Sequence, residues 1–320
     1  MDYKEFVDCV SRDLAQVLPE DMQKWRIVAE QVNKLQGASY YGLSVKPVGF
    51  GAGMSLDLHP LFECVEEGES YEHVLKQIGK YTVQAMEWFP KQEIMEFMDM
   101  DLLEEKLTVQ IVPVKGNEEM LRTIPHIQKE DLAIVYRFMH CTRQKEIFSA
   151  LFTNDLLDSY HISAEELHEK AMANAIEKFP ATIRSMCDIV SEISKTKPEL
   201  VGEKREERHL KMYVATCNKG FNGASCIFYP GFLKQAAQQL GGDFYILPSS
   251  IHEVIFVVDT DEVDYRRLEE MVQQANETVI EPKDRLSDFV YHDDAKDDIF
   301  EKAEAFKARR KADGARLYLL

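Results

Sequence analysis

The spacing of apolar residues divides the chain into amphipathic helices and short strands. Tyr3, Phe6, Val7, Val10, Leu14 and Val17 recur at helical intervals and predict a helix over about 3–18 that ends before Pro19. Strand-like runs follow at about 24–33, 40–45 and 54–58, with the glycine-rich GFGAG (49–53) between the last two. Tyr71, Val74, Leu75, Ile78, Tyr81, Ala85, Met86 and Phe89 form the stripe of a long helix for which Ser70 is the cap. The middle of the chain predicts a strand at 107–114, a helical turn from Asn117, and strands at 132–139 and 147–152. A second helical turn follows Thr153-Asn154-Asp155. Ser163 and Glu166 have the spacing of a capping box, and the helix they open runs to Phe179, where Pro180 stops it. A further helical stretch reaches about 195.

Residues 196–210, TKPELVGEKREERHL, are polar and charged and mark a domain boundary. Beyond them the pattern reads strand 211–217, turn NKGFNG, strand 224–229, helix 231–240, strands 244–247 and 254–258, and helix 263–275. After 290 the chain turns from acidic to basic and reads as a loosely attached helix. Runs of strands followed by helices, without strict alternation, predict an α+β fold with antiparallel sheets. The expected division is an N-terminal region of 1–200, divisible near 105, a ββαββα unit over 211–291, and a charged helical tail over 292–320. An ungapped match of Ser149–Leu157 with Ser225–Leu233, and a looser one with Ser55–Phe62, raises the expectation of repeated hairpin-then-helix units. The competing reading is that any junction of strand and helix looks alike over eight residues.

Charge narrows the partners. The chain of 320 residues carries 38 basic against 56 acidic side chains, a net charge of −18 that repels nucleic acid and anionic lipid. The best basic cluster, Lys204, Arg205, Arg208 and Lys211, is interleaved with Glu203, Glu206 and Glu207. No apolar run approaches the roughly 18 residues of a membrane span, and the N-terminus lacks the basic and apolar regions of a signal peptide. Six scattered cysteines without a CxxC pair read as reduced thiols. The expectation is a cytoplasmic protein without cofactor, whose partner is a protein with basic patches or a small metabolite.

Several stretches carry a resemblance. YYGLSV (40–45), SLDLHPLFE (55–63), the IPH and LAIVYRF segments within 124–138, LFTNDLL (151–157), FPATIRSM (179–186) and the MYVATCNKGFNGASCIFYPG and DFYILPSSIHEVI blocks within 212–255 resemble an uncharacterised bacterial family. That family is classed as a domain of unknown function and is frequent in gut anaerobes. The resemblance spans nearly the whole chain, and its last block is the most specific. It brings no reaction, cofactor or partner, so it carries no catalytic assignment; it implies a stand-alone intracellular protein.

Candidate chemistry concentrates in PSSIHE. Ser249, Ser250, His252 and Glu253 have the residue types of a nucleophile, base and orienting acid. In a regular strand His252 and Glu253 point to opposite faces, so a triad requires another acid, such as Asp243, or a partner from the NKGFNG turn. There is no G-x-S-x-G elbow. The bland reading makes Pro248-Ser249-Ser250 turn chemistry, with hydroxyls bonding local backbone. In NKGFNG, Asn218, Lys219 and Asn222 could form an anion-binding nest, against the plainer reading of a tight turn. GFGAG lacks the spacing and the following helix of a dinucleotide loop. Asp259, Asp261, Glu262 and Asp264 lack calcium-loop spacing and suit the start of the next helix instead. No histidine or cysteine arrangement specifies a metal. The function that follows is a non-catalytic binding or regulatory protein, with a hydrolase using Ser249 or Ser250 with His252, or a small-metabolite sensor, as alternatives.

Overall fold

A computed structural model describes residues 1–317 apart from Asn33, Gln36, Ala38, 47–53, 88–104, 142–146, 197–209, Lys219 and Asp261. The GFGAG loop, Phe89 and Lys219 therefore lie outside the described residues. The protein is α+β with three antiparallel sheets, and the chain divides into two compact units, Met1–Glu105 and Lys106–Leu320.

In the first unit, helix α1 (Tyr3–Asp13) opens with a reciprocal capping box between Asp2 and Glu5. Strands β1 (Arg26–Val32), β2 (Tyr40–Lys46) and β3 (Met54–Leu56) form a sheet in that order. Helices α2 (His59–Glu66) and α3 (Tyr71–Glu87) follow. Phe6, Val7, Val10 and Leu14 bury the predicted stripe of α1 against Leu43 and Val45 of β2, Phe62 of α2, and Val74 and Ile78 of α3. Full burial of a side chain of this size contributes about 1.5–3 kcal/mol, so this core holds the unit. Gly42 is required by packing: a Cβ there would run into the Leu56 carbonyl and the Tyr40 ring.

The second unit contains two sheets. Strand β4 (Leu107–Pro113) pairs with β6 (Leu132–Cys141) along one side. The other side of β6 takes β5 (His126–Lys129) and then β7 (Ile147–Leu151). A short helix α4 (Glu118–Leu121) precedes β5, and α5 (Asn154–Tyr160) follows β7. Helix α6 (Ala164–Lys178) packs on β4 and β6 through Leu167, Ala171, Met172 and Ala175. Its capping box has Glu166 N–H donating to Ser163 Oγ at 3.1 Å and Ser163 N–H donating to Glu166 Oε2 at 2.9 Å, as the sequence predicts.

The larger sheet has the order β13-β12-β10-β11-β9-β8. Its strands are β8 (Ala181–Ser185), β9 (Met212–Cys217), β10 (Phe244–Ser250), β11 (Glu253–Val258), β12 (Tyr291–Asp294) and β13 (Ile299–Lys302). Helices α7 (Met186–Thr196), α8 (Phe232–Leu240), α9 (Tyr265–Thr278) and α10 (Ala303–Leu317) complete the unit. A tilted Phe244–Phe256 pair at 4.5 Å marks one face of the β10–β11 hairpin; Tyr245, Leu247 and Val257 face α9 residues Leu268 and Val272 on the other.

Four local expectations are corrected. Residues 224–229 are not a strand: Gly223–Phe228 is a 3₁₀ helix, entered through Asn222 at φ 52°. Buried side chains alone do not distinguish a buried 3₁₀ turn from a buried strand. This also removes the ungapped match as a repeat, because Ser149–Leu151 lies in a strand of a hairpin whereas the matching Ser225–Ile227 is helical; the looser match, Ser55–Phe62, does run from β3 into α2. Residues 181–185, expected to be helical or connecting, are an edge strand paired with β9. The chain after 290 is not a helix alone: β12 and β13 first form a hairpin, with Asp298 at φ 55° in its turn.

Candidate functional site

The NKGFNG turn and the PSSIHE turn, 30 residues apart between Asn222 and His252, meet at one end of the larger sheet. The β10–β11 hairpin carries an irregularity between Pro248 and Ser250 and pairs Ser250 with Glu253, leaving Ile251 and His252 at the tip. On β9, Thr216 pairs with Glu253 and its hydroxyl donates to the His252 carbonyl at 2.7 Å. The tip is pinned further by Ile251 N–H donating to the Asp284 carbonyl at 2.9 Å and by Ala224 N–H donating to the Ile251 carbonyl at 3.2 Å. Gly223 permits this approach: a Cβ there would overlap Thr216 Oγ1, the His252 carbonyl and the Cys217 amide. Glycine is thus demanded by contact rather than by dihedral angle.

The His252 ring makes a hydrogen bond through one nitrogen and faces a carboxylate with the other. Nδ1 accepts from the Asn222 N–H at 3.3 Å, which defines Nε2 as the protonated position in the neutral ring. Nε2 lies 3.8 Å from Asp284 Oδ1, with the His252 side chain 39% and the Asp284 side chain 24% exposed. Phe221 lies beside the imidazole, its centroid 6.1 Å away. Asn222 is buried in a left-handed conformation, and its Nδ2 has no hydrogen-bond partner among the described residues.

The serines behave as turn residues. Ser250 Oγ accepts from the His252 backbone N–H at 3.1 Å, an ST-type turn contact. Ser249 is half-buried at the irregular end of β10, and Glu253 is half-buried at the start of β11. Asp243 precedes β10 at the opposite end, where Oδ1 accepts from Ala295 N–H at 3.2 Å. A strand of this length puts it about 20 Å from His252, so it cannot orient that ring. Asn218 is held by its own N–H donating to the Pro180 carbonyl at 3.0 Å. Burial raises the pKa of the Cys226 thiol beneath the turn, which keeps it a neutral packing group rather than a nucleophile.

The sequence reading picked out Ser250, His252 and Asn222 but missed Asp284, Thr216 and Gly223. Asp284 lies in a short 3₁₀ turn, Pro282–Asp284, with no local pattern that points to His252. Asp264 caps α9 by accepting from Arg266 N–H at 3.1 Å, in line with its expected place at the helix start. Asp259 turns instead toward His292, with Oδ2 at 3.0 Å from Nε2. Among the described residues no three His, Cys, Asp or Glu side chains are grouped as ligands for a metal ion. Among them, too, no helix is long and apolar enough to cross a membrane.

Fold and site together define an α+β protein with a polar turn assembled from two loops on one sheet end. The chain belongs to the family of unknown function DUF5688, whose model matches residues 3–294. No curated protein and no solved structure matches the chain.

Proposed function

We propose that this is a non-catalytic binding or regulatory protein of the cytoplasm, with the His252 turn as its recognition site. The observation that carries the reading is the engagement of the imidazole: Nδ1 holds the Asn222 amide and Nε2 faces Asp284. A ring used this way positions a turn and presents an accessible polar edge. Asn222 Nδ2, a buried donor without an acceptor among the described residues, fits a ligand that supplies a carbonyl or carboxylate oxygen. The net charge of −18 favours a partner bearing basic patches over nucleic acid. A small-metabolite sensor would use the same turn.

The hydrolase reading requires a hydroxyl of Ser249 or Ser250 to donate to His252. Ser250 Oγ instead accepts from the His252 backbone, and Nδ1 already has a donor. The two readings separate in one experiment. A thermal-shift screen of metabolites, nucleotides and metal ions is run on the wild type and His252→Ala, beside an ester-hydrolysis assay of the wild type and Ser250→Ala. A ligand at a hundred times its dissociation constant adds about 2.7 kcal/mol. The binding reading expects a shift in the wild type that is lost in a folded His252→Ala chain, and no turnover. Ester turnover abolished by Ser250→Ala would instead establish the hydrolase.

A further inference from the structure

A second polar cluster of the larger sheet lies at the end of β10 opposite His252. Tyr245 pairs with Val257 on one side and His292 on the other, so Tyr245, His292 and Asp259, two residues beyond Val257, share one face. The Tyr245 ring meets His292 edge-on, with centroids 4.9 Å apart. Tyr245 and His292 are fully buried; His292 Nδ1 has no hydrogen-bond partner among the described residues, and burial first, then the neighbouring Asp259 carboxylate, raises the pKa of the Tyr245 hydroxyl. Buried polar atoms are nearly always paired, and an orphan in such a cluster calls for a cause.

The cover over this cluster is α10. Phe306 lies flat on His292, with centroids 3.5 Å apart and planes 8° from parallel. Lys307 Nζ sits 3.9 Å from Asp259 Oδ2 and 5.4 Å from the Tyr245 ring centre. Arg309 donates through Nη2 to Asp294 Oδ2 at 2.8 Å and to Glu301 Oε1 at 2.7 Å, and through Nη1 to Asp297 Oδ2 at 3.2 Å. Burial alone would raise the Asp294 pKa, but Arg309 and the Asp297 amide outweigh it and keep the carboxylate ionised. The helix thus brings a ring and two cations to a site of carboxylates and aromatics.

Its hold is narrow. Of residues 303–312 only Ala303 and Phe306 are buried and Arg309 is half-buried, while the rest are exposed. Most helices in proteins are held by a wide apolar face, whereas α10 is held by the Phe306 stack, the partly exposed Lys307–Asp259 pair and the partly buried pairs of Arg309 with Asp294 and Glu301. The family model ends at Asp294, before β13 and α10 begin. The cluster's Tyr245, Asp259, His292 and Asp294 fall inside the matched stretch and its cover falls outside.

We propose that α10 is an internal stand-in for a partner: the site formed by Tyr245, Asp259, His292 and Asp294 docks an arginine- and lysine-bearing helix of another protein, and α10 occupies it in the free chain. The partner's arginine takes the Asp294 carboxylate, its lysine takes Asp259, and an apolar residue between them covers His292. The inference stands on a different end of the sheet from the His252 turn and does not depend on the reading of that turn. Because α10 is tethered, it competes at the high effective concentration of an intramolecular ligand, and loosening it uncovers the site.

The test uses the full chain and a labelled peptide with the sequence of residues 303–317, read by fluorescence anisotropy. Wild type, Phe306→Ala and Arg309→Glu are compared, with hydrogen exchange following α10 and the sheet separately. The expected result is at least about tenfold tighter peptide binding by the two variants than by wild type, faster exchange in α10, and unchanged protection of β10 and β11. Binding should weaken with salt and be lost when Asp294→Asn is added to the chain or R309E is placed in the peptide. Three results overturn the proposal. The first is loss of protection across the sheet in both variants, which makes α10 part of the fold. The second is a helix that opens over a folded sheet with no peptide binding, and the third is a wild type that binds the peptide as tightly as the variants.

Discussion

His252 and His292 stand at opposite ends of β10 and show two ways in which one sheet uses the same side chain. His252 is at a hairpin tip, partly exposed, and is held by a backbone N–H from a neighbouring loop. His292 is inside the sheet face, fully buried, and is held by a carboxylate and two aromatic rings. The tip histidine can lose its partner to water at small cost, because solvent replaces the hydrogen bond. The interior one cannot, because nothing replaces the stack or the Asp259 contact. Exposure, more than residue type, sets how much each contributes to stability.

The largest predicted effect breaks the interior arrangement. His292→Ala removes the stack under Phe306 and leaves Asp259 without its imidazole partner, and should destabilise the second unit by about 3 kcal/mol. Chemical denaturation checks it, and a loss below about 1 kcal/mol would erase the contrast between the two histidines.

Gly223→Ala attacks the tip from below, since the added methyl group overlaps Thr216 and the His252 carbonyl. A loss of about 2–3 kcal/mol is expected, together with altered backbone shifts at His252 in nuclear magnetic resonance spectra. A neutral substitution would mean that the two loops are not in contact.

Next to His292, on the opposite face of β12, Asp293 is almost fully buried, and its Oδ2 has no partner among the described residues. Burial first, then the charges of Asp243, Asp298 and Asp294, raise its pKa from 3.8 to about 7. The folded state therefore holds this proton more tightly than the unfolded state. The contribution is fully favourable below pH 3.8 and declines as pH rises toward about 7. Above that, the penalty is constant, at about 1.4 kcal/mol for each pH unit that separates the two values. Asp293→Asn should flatten the fall of stability between pH 4 and 8, and denaturation at a series of pH values measures it. An unchanged slope would show that Asp293 is ionised in the fold at ordinary acid pH.

The smallest effect is His252→Ala. It takes the acceptor from the N–H of the buried Asn222, but the space left by the partly exposed ring admits water, and it should cost about 1 kcal/mol, measurable by denaturant titration. A loss as large as that of His292→Ala would make the tip a structural linchpin and weaken its reading as a recognition site.

Much of the fold is legible locally. The stripe of α1 and the Ser163–Glu166 box need only neighbouring residues, because period and capping are properties of a few turns of chain. The α+β class follows from the order of such segments. Short pieces were not legible in this way. Ala181–Ser185, Gly223–Phe228 and Tyr291–Asp294 owe their conformations to the strands and loops against them. In Tyr291–Asp294 the acidic residues read as a solvated tail until pairing with β10 buries them.

The site divides in the same way. Sequence alone marked Asn222, Ser250 and His252, because Asn, Ser and His beside apolar runs are recognisable as turn and site chemistry. Only tertiary structure joined Asn222 to His252, brought in Asp284, removed Asp243 by the length of a strand, and set Phe306 on His292. Local propensity acts over a few bonds, whereas these contacts join residues tens of positions apart. They exist only once a sheet has fixed its register and its faces.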